Sequence, residues 1–128
     1  MSKRKVLIVG GVFGGIKVAL KLSENDAFDI SLISDRPSFR YYPKLYRTAT
    51  GGSREVSEMF LTEILKDKPV EVVIDGAYKL NHKEKELHLK SGQKLKFDIL
   101  ILAIGSETNY FGIKGLKDYS YGIKSIAE

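Results

Sequence analysis

The sequence predicts an α/β protein in which a parallel sheet, begun as β-α-β-α-β, is followed by a small antiparallel β-meander. Three observations carry that reading. Val6 to Val9 is a continuous apolar run, the pattern of a strand buried on both faces of a parallel sheet. Glycines at 10, 11, 14 and 15 break the run, and Ile16, Ala19, Leu20 and Leu22 resume at helical spacing. After residue 76 the texture changes to short segments between turn sequences, as in an antiparallel meander.

In chain order, the first helix is expected from about Phe13 to Ser23, ended by the polar break Ser23 to Asp26. Phe28 to Ser34 reads as the second strand, with Ile30, Leu32 and Ile33 as core candidates. An aromatic, basic loop runs from Phe39 to Gly52. A second helix is expected from about Ser53 or Val56 to Leu65, with Met59, Phe60, Ile64 and Leu65 facing the core and Lys66 to Pro69 stopping it. Val70 to Asp75 is the third strand. Ala77–Leu80, Glu86–Leu89 and Lys94–Phe97 form the meander, and Phe97 to Gly105 is a fourth buried strand ending in a glycine turn. Gly112 to Glu128 is turn-rich and stops inside a helix that starts at Ser125, which reads as a fragment of something longer.

The chain has 128 residues, enough for one domain with a real core. Its 43% hydrophobic and 29% charged residues argue against disorder. The net charge of +5 suits anionic ligands, but Lys and Arg are scattered, so a phosphate-bearing cofactor ranks above nucleic acid, and no nucleic-acid partner is expected. With no cysteine, thiol catalysis, disulfides and thiolate metal sites are excluded from these residues. The Lys3-Arg4-Lys5 start followed by apolar residues resembles a secretory signal. Paired glycines and Lys17 break the apolar run, which is too short to span a bilayer, so a cytoplasmic location is expected.

Strand, glycine turn and helix together present free backbone N–H groups and a positive dipole end to a phosphate. The dinucleotide pattern G-x-G-x-x-G falls on Gly10, Val12 and Gly15, and Val12 departs from it where glycine normally lets the pyrophosphate approach. About 20 residues beyond the turn, where an acidic side chain would hold the ribose, stand Ser34 and Asp35. Asp35 is the favoured ribose ligand, with Ser34 able to donate one weaker bond. The competing reading is that Asp35 only caps the turn Ser34 to Pro37.

Three motifs, spread over almost the whole chain, resemble the type II NADH dehydrogenases within the FAD-dependent pyridine-nucleotide oxidoreductases. Val9 to Ile16 (VGGVFGGI) is similar to the family's GGGFGG turn except at Val12. Tyr42 to Gly51 (YPKLYRTATG) is similar to P-L-L-Y-x-x-A-T-G. Phe97 to Gly112 (FDILILAIGSETNYFG) is similar to Y-D-x-L-V-x-A-x-G-S-x-x-N-x-F-G and is the most specific of the three.

The resemblance implies an incomplete FAD-binding, Rossmann-like lobe in which Gly10, Gly11, Val12, Phe13, Gly14 and Gly15 form the pyrophosphate turn. Ser34, Asp35 and Arg36 would lie on the adenosine-ribose side, Ala77 against adenine, and Ala103, Ile104 and Gly105 at the second cofactor turn. Pro43 and Gly51 would lie toward the flavin. Ser34 stands where the family commonly has its acid, and Ile104 replaces a frequent threonine. The family's NADH domain, quinone site and membrane-binding helices would lie beyond Glu128. NADH as substrate, quinone as acceptor and a peripheral position on the inner membrane face therefore belong to a longer chain, and apolar surface left uncovered here would favour self-association. No residue is a credible catalytic acid, base or nucleophile, and none is assigned to a metal.

Other patterns carry less. Tyr110 and Lys114 match a Tyr-x-x-x-Lys pair, but Gly112 and Gly115 oppose the helix it needs. His82 and His88 read as surface histidines, Tyr41, Tyr42 and Tyr46 as packing and loop-anchoring groups, and Lys83 to Lys90 as the solvated face of a hairpin. The rivals to an NADH:quinone-type flavoprotein are a sulfide:quinone or ferredoxin reductase relative, a non-catalytic nucleotide-binding module, and a scaffold that binds nothing.

Overall fold

A computed structural model of the chain describes residues 2–53 and 58–122. The chain divides into two compact units, one made of residues 1–39 and 60–105, the other of residues 40–59 and 106–128.

The first unit is built on a four-stranded parallel sheet of β1 (Arg4–Val9), β2 (Phe28–Ser34), β5 (Val70–Ile74) and β9 (Ile99–Leu102), in the order β5-β2-β1-β9. Register follows the apolar pattern: Val6 pairs with Ile30 on one side and with Ile99 on the other, and Ile30 pairs with Val70. Because side chains alternate across a strand, Val6, Ile8, Ile30 and Leu32 face one way and Leu7, Val9 and Ile33 the other. Both faces are covered, which is why the strands read as unbroken apolar runs. Helix α1 (Phe13–Leu22) lays Ile16 and Ala19 on the first face, joined by Leu61 and Leu65. The meander β6 (Ala77–Asn81), β7 (Glu86–Leu89) and β8 (Lys94–Lys96), antiparallel in that order, lays Leu87 and Leu89 on the second. Each such wholly buried aliphatic side chain contributes about 1.5–3 kcal/mol relative to exposure.

Several expectations are corrected. Beyond a short strand β3 (Ser38–Arg40), the helix expected from Ser53 or Val56 is a strand β4 (Glu58–Phe60) and then a single-turn helix α3 (Leu61–Ile64), while residues 54–57, Val56 among them, lie outside the described residues. Met59 and Phe60 are exposed, and Leu61, not one of the positions expected, is completely buried. The backbone stays extended at Phe60 (φ −70°, ψ 136°), so the helical phase starts later than the apolar spacing suggests.

The fourth strand is not buried throughout. β9 flanks the sheet, with no strand on its outer edge among the described residues, and Leu102 is 60% exposed. Lys83 to Lys90 is not purely a solvated face, because strand alternation sends Leu87 and Leu89 into the core. Finally, His88 is no simple surface residue: its ring is mostly buried, and Nε2 lies 2.7 Å from Glu86 Oε1. Glu86 also faces the Lys96 ammonium at 3.4 Å.

In the second unit a 3-10 turn (Tyr42–Lys44) leads into α2 (Leu45–Ala49), and a short α4 (Leu116–Tyr119) follows the turns around Gly112 and Gly115. The sequence predicts a loop from Phe39 to Gly52, and the 3-10 turn and α2 occupy part of it. Tyr110 to Lys114 is turn, not helix, so the Tyr-x-x-x-Lys spacing places nothing on a common face. Tyr41 and Tyr46 are exposed and carry the Lys44 ammonium and the Arg47 guanidinium over their rings, at 5.7 and 5.9 Å. The helix expected at Ser125 to Glu128 falls outside the described residues. Among the described residues no helix is long and apolar enough to cross a membrane, and no three His, Asp or Glu side chains group as a metal site.

Candidate functional site

In a parallel sheet all strands end on one edge, and ligands bind outside that edge where the strand order changes direction. Here the chain steps from β1 outward to β2 and β5, while β9 returns on the opposite side of β1. The switch point therefore lies between β1 and β9, at Gly10 and Ala103. Ladder bonds continue past the strand ends and hold the turns side by side. Gly10 N–H donates to Ile33 O, Ala103 N–H to Val9 O and Asp75 N–H to Ser34 O, each at 2.8 Å.

The glycine turn is as tight as its composition suggests. Gly10 has φ +117°, a conformation that side-chain-bearing residues rarely adopt, and a Cβ there would lie 2.1 Å from Ala103 O. A Cβ on Gly11 would meet Ser34 Oγ at 2.6 Å and Leu61 Cδ1 at 2.8 Å, and one on Gly15 would lie 1.8 Å from Gly10 O. Gly14 differs: it is helical and exposed, and a Cβ would only touch Ala103 Cβ at 3.6 Å. Val12 caps α1 with extended backbone (φ −120°, ψ −166°) and no side-chain cap bond, so position 12 makes no conformational demand for glycine.

The first bond of the helix is donated by Ile16 to Val12 O at 2.9 Å, so the N–H groups of the preceding turn emerge from the positive helix end. Phe13 is half exposed there, its ring edge-on to Phe39 at 5.0 Å and 89°. Phe39 in turn packs on the first core cluster.

At the end of β2, Ser34 is 6% exposed, and its Oγ donates to Arg36 O at 2.8 Å and accepts Arg36 N–H at 3.3 Å. Asp35 and Arg36 are exposed. At the end of β5, Asp75 accepts Gly76 N–H at 2.7 Å and Ser91 N–H at 3.4 Å. The Ser91 hydroxyl, then the Gly76 and Ser91 amides and the Lys90 charge, hold the Asp75 carboxyl below its ordinary value against opposing desolvation. The aliphatic chain of Lys90 lies over Gly76, where a Cβ would meet it at 2.7 Å, and this clasp places the exposed Ala77 at the start of β6. The Ala103 to Gly105 turn closes the set, with Gly105 at φ +74° and Ile104 71% exposed.

Gly10 to Gly15, Ser34 to Arg36, Ala77 and Ala103 to Gly105 thus share one sheet edge. Pro43, exposed in the 3-10 turn, and Gly51, at φ +94° after α2, belong to the second unit. Leu61, Phe39 and Asp75 support the edge, and no motif in the sequence marks them as site residues. The Asp75-Gly76 pair at a strand end was a readable turn signal, whereas the contacts of Leu61 and Phe39 cross the fold and leave no local mark.

A helix N-terminus and two glycine-dependent turns at the switch point of a parallel sheet define a Rossmann-like α/β lobe. The chain belongs to the pyridine nucleotide-disulphide oxidoreductase family, whose model matches residues 4–128. It is 27% identical to a type II NADH:quinone oxidoreductase of Staphylococcus haemolyticus over 130 residues, covering 98% of this chain and 32% of that protein. Among solved structures it is similar to the sulfide:quinone oxidoreductase of Aquifex aeolicus, with a TM-score of 0.89 and 28% identity over 97% of this chain and 29% of that one. It is also similar to NDH2 from Plasmodium falciparum in complex with NADH, with a TM-score of 0.82 and 26% identity over 98% and 27% of the two chains. The chain spans about a third of the length of the curated relatives it matches.

Proposed function

We propose that this chain binds FAD along the carboxyl edge of its parallel sheet and forms the flavin-holding part of an NADH:quinone-type oxidoreductase. The observation that carries the reading is the Gly10–Ala103 junction. Two turns meet at the switch point so closely that a single Cβ would part them, beside a helix end that offers backbone N–H groups to a diphosphate. The residues present fit such a group. Gly10 to Gly15 would hold the pyrophosphate, Asp35 the ribose, Ala77 the adenine side and Ala103 to Gly105 the second contact. Bound flavin would supply the redox chemistry, and the chain would supply position and electrostatics.

NADH as donor, quinone as acceptor and a peripheral position on the cytoplasmic membrane face are proposed for a polypeptide joining this segment to the remaining two-thirds of its relatives' length. The likeness to a sulfide:quinone oxidoreductase structure favours sulfide as the alternative donor. The test is to purify the chain with excess FAD, remove free ligand and record the visible spectrum before and after heat release. Retained flavin near one equivalent supports the reading. A folded, colourless protein that still binds ADP overturns it in favour of a non-flavin nucleotide module. Reduction of the longer polypeptide by NADH or by sulfide separates the two donors.

A further inference from the structure

We infer that Ser34 is a positioning residue, not a ribose ligand: it fixes the Asp35–Arg36 turn against the phosphate turn and acts on the adenosine end through Asp35. The inference rests on the FAD reading above. A serine hydroxyl has one proton to donate, and that of Ser34 is committed to Arg36 O at 2.8 Å while the same oxygen accepts Arg36 N–H at 3.3 Å. Both bonds span two residues, closing a local side-chain turn around Asp35.

The side chain is also shut away. Ser34 is 6% exposed, and its Oγ and Cβ lie 2.6 and 2.9 Å from where a Gly11 Cβ would stand. One small side chain therefore touches the phosphate turn on one side and sets the ribose turn on the other, while the Ser34 carbonyl accepts Asp75 N–H at 2.8 Å. Asp35, between the two residues of the clasp, is the exposed carboxylate. The acid expected at the end of β2 has moved one residue along, and the serine holds it there.

The test is a double-mutant cycle in FAD affinity, with amide exchange as a second readout. Ser34→Ala and Asp35→Asn are each expected to weaken FAD binding about tenfold, and the double variant by about tenfold as well, because one effect passes through the other. An additive loss of about a hundredfold would mean that Ser34 touches the ligand independently and would overturn the inference, as would wild-type affinity in Ser34→Ala. In the ligand-free protein, Ser34→Ala is expected to speed exchange of the Arg36 amide about fivefold with little change in Tm. If the unaltered chain retains no FAD, the functional reading fails by itself, and the exchange measurement still decides: an unchanged Arg36 rate overturns the positioning role.

Discussion

A Cβ on Gly15 would stand 1.8 Å from the carbonyl oxygen of Gly10, so the first helix can leave the first strand at this angle only if position 15 has no side chain. The glycines of this turn therefore answer one demand, close packing of the chain on itself, and under the proposed function a second, access for a ligand. Substitutions tell them apart.

Gly10→Ala and Gly15→Ala should each destabilise the protein by roughly 3 kcal/mol or more, since backbone atoms stand in the way and Gly10 has positive φ. Gly14→Ala should leave stability unchanged or raise it by up to ~1 kcal/mol, because the site is helical and its nearest neighbour lies at ordinary contact distance. Urea unfolding measures this. Loss of flavin from a fully stable Gly14→Ala variant would mark position 14 as a ligand contact.

Val12→Gly should change FAD affinity by less than about threefold while lowering stability by roughly 0.5–1 kcal/mol, the usual entropic effect of glycine. The backbone at Val12 is already extended, so glycine relieves no strain. A gain of tenfold or more by fluorescence titration would show that the valine side chain obstructs the pyrophosphate.

Phe13 and Phe39 should be energetically coupled. Their edge-to-face contact joins the start of α1 to the core cluster under Phe39, and such pairs contribute about 0.5–1.5 kcal/mol beyond burial. A cycle of Phe13→Leu and Phe39→Leu read by urea unfolding should return a coupling in that range. Strict additivity would refute it.

Acid should weaken the fold partly through the meander. The His88 ring nitrogen, then the Lys96 ammonium, hold the Glu86 carboxyl below its ordinary value of 4.5, with partial burial opposing them. A carboxyl depressed in the folded state contributes stability above its unfolded pKa and loses it as pH falls through the folded value. The urea midpoint should therefore drop as pH is lowered from about 5 toward 3. Glu86→Gln should flatten that drop. An identical acid slope in both proteins would exclude the Glu86 contribution.

The amino-acid sequence by itself determined the parallel strands, the first helix, the meander and the glycine turn. Unbroken apolar runs such as Val6 to Val9, a sharp change to helical spacing at Ile16 and glycine clusters are local signals, and local physics produces them. Tertiary structure alone decided what depends on neighbours distant in the chain. Extended backbone at Phe60 displaced the expected second helix and put Leu61, not Met59, into the core. Docking of the meander on the sheet turned an alternating, charged hairpin into half of a core face through Leu87 and Leu89. The same holds at the site: spacing brought Ser34 and Asp35 forward together, but only the approach of Gly11 and the return of Arg36 show that the serine is enclosed and the aspartate exposed. Burial and hydrogen-bond partners are properties of surfaces that meet, and a single stretch of sequence carries only one of those surfaces.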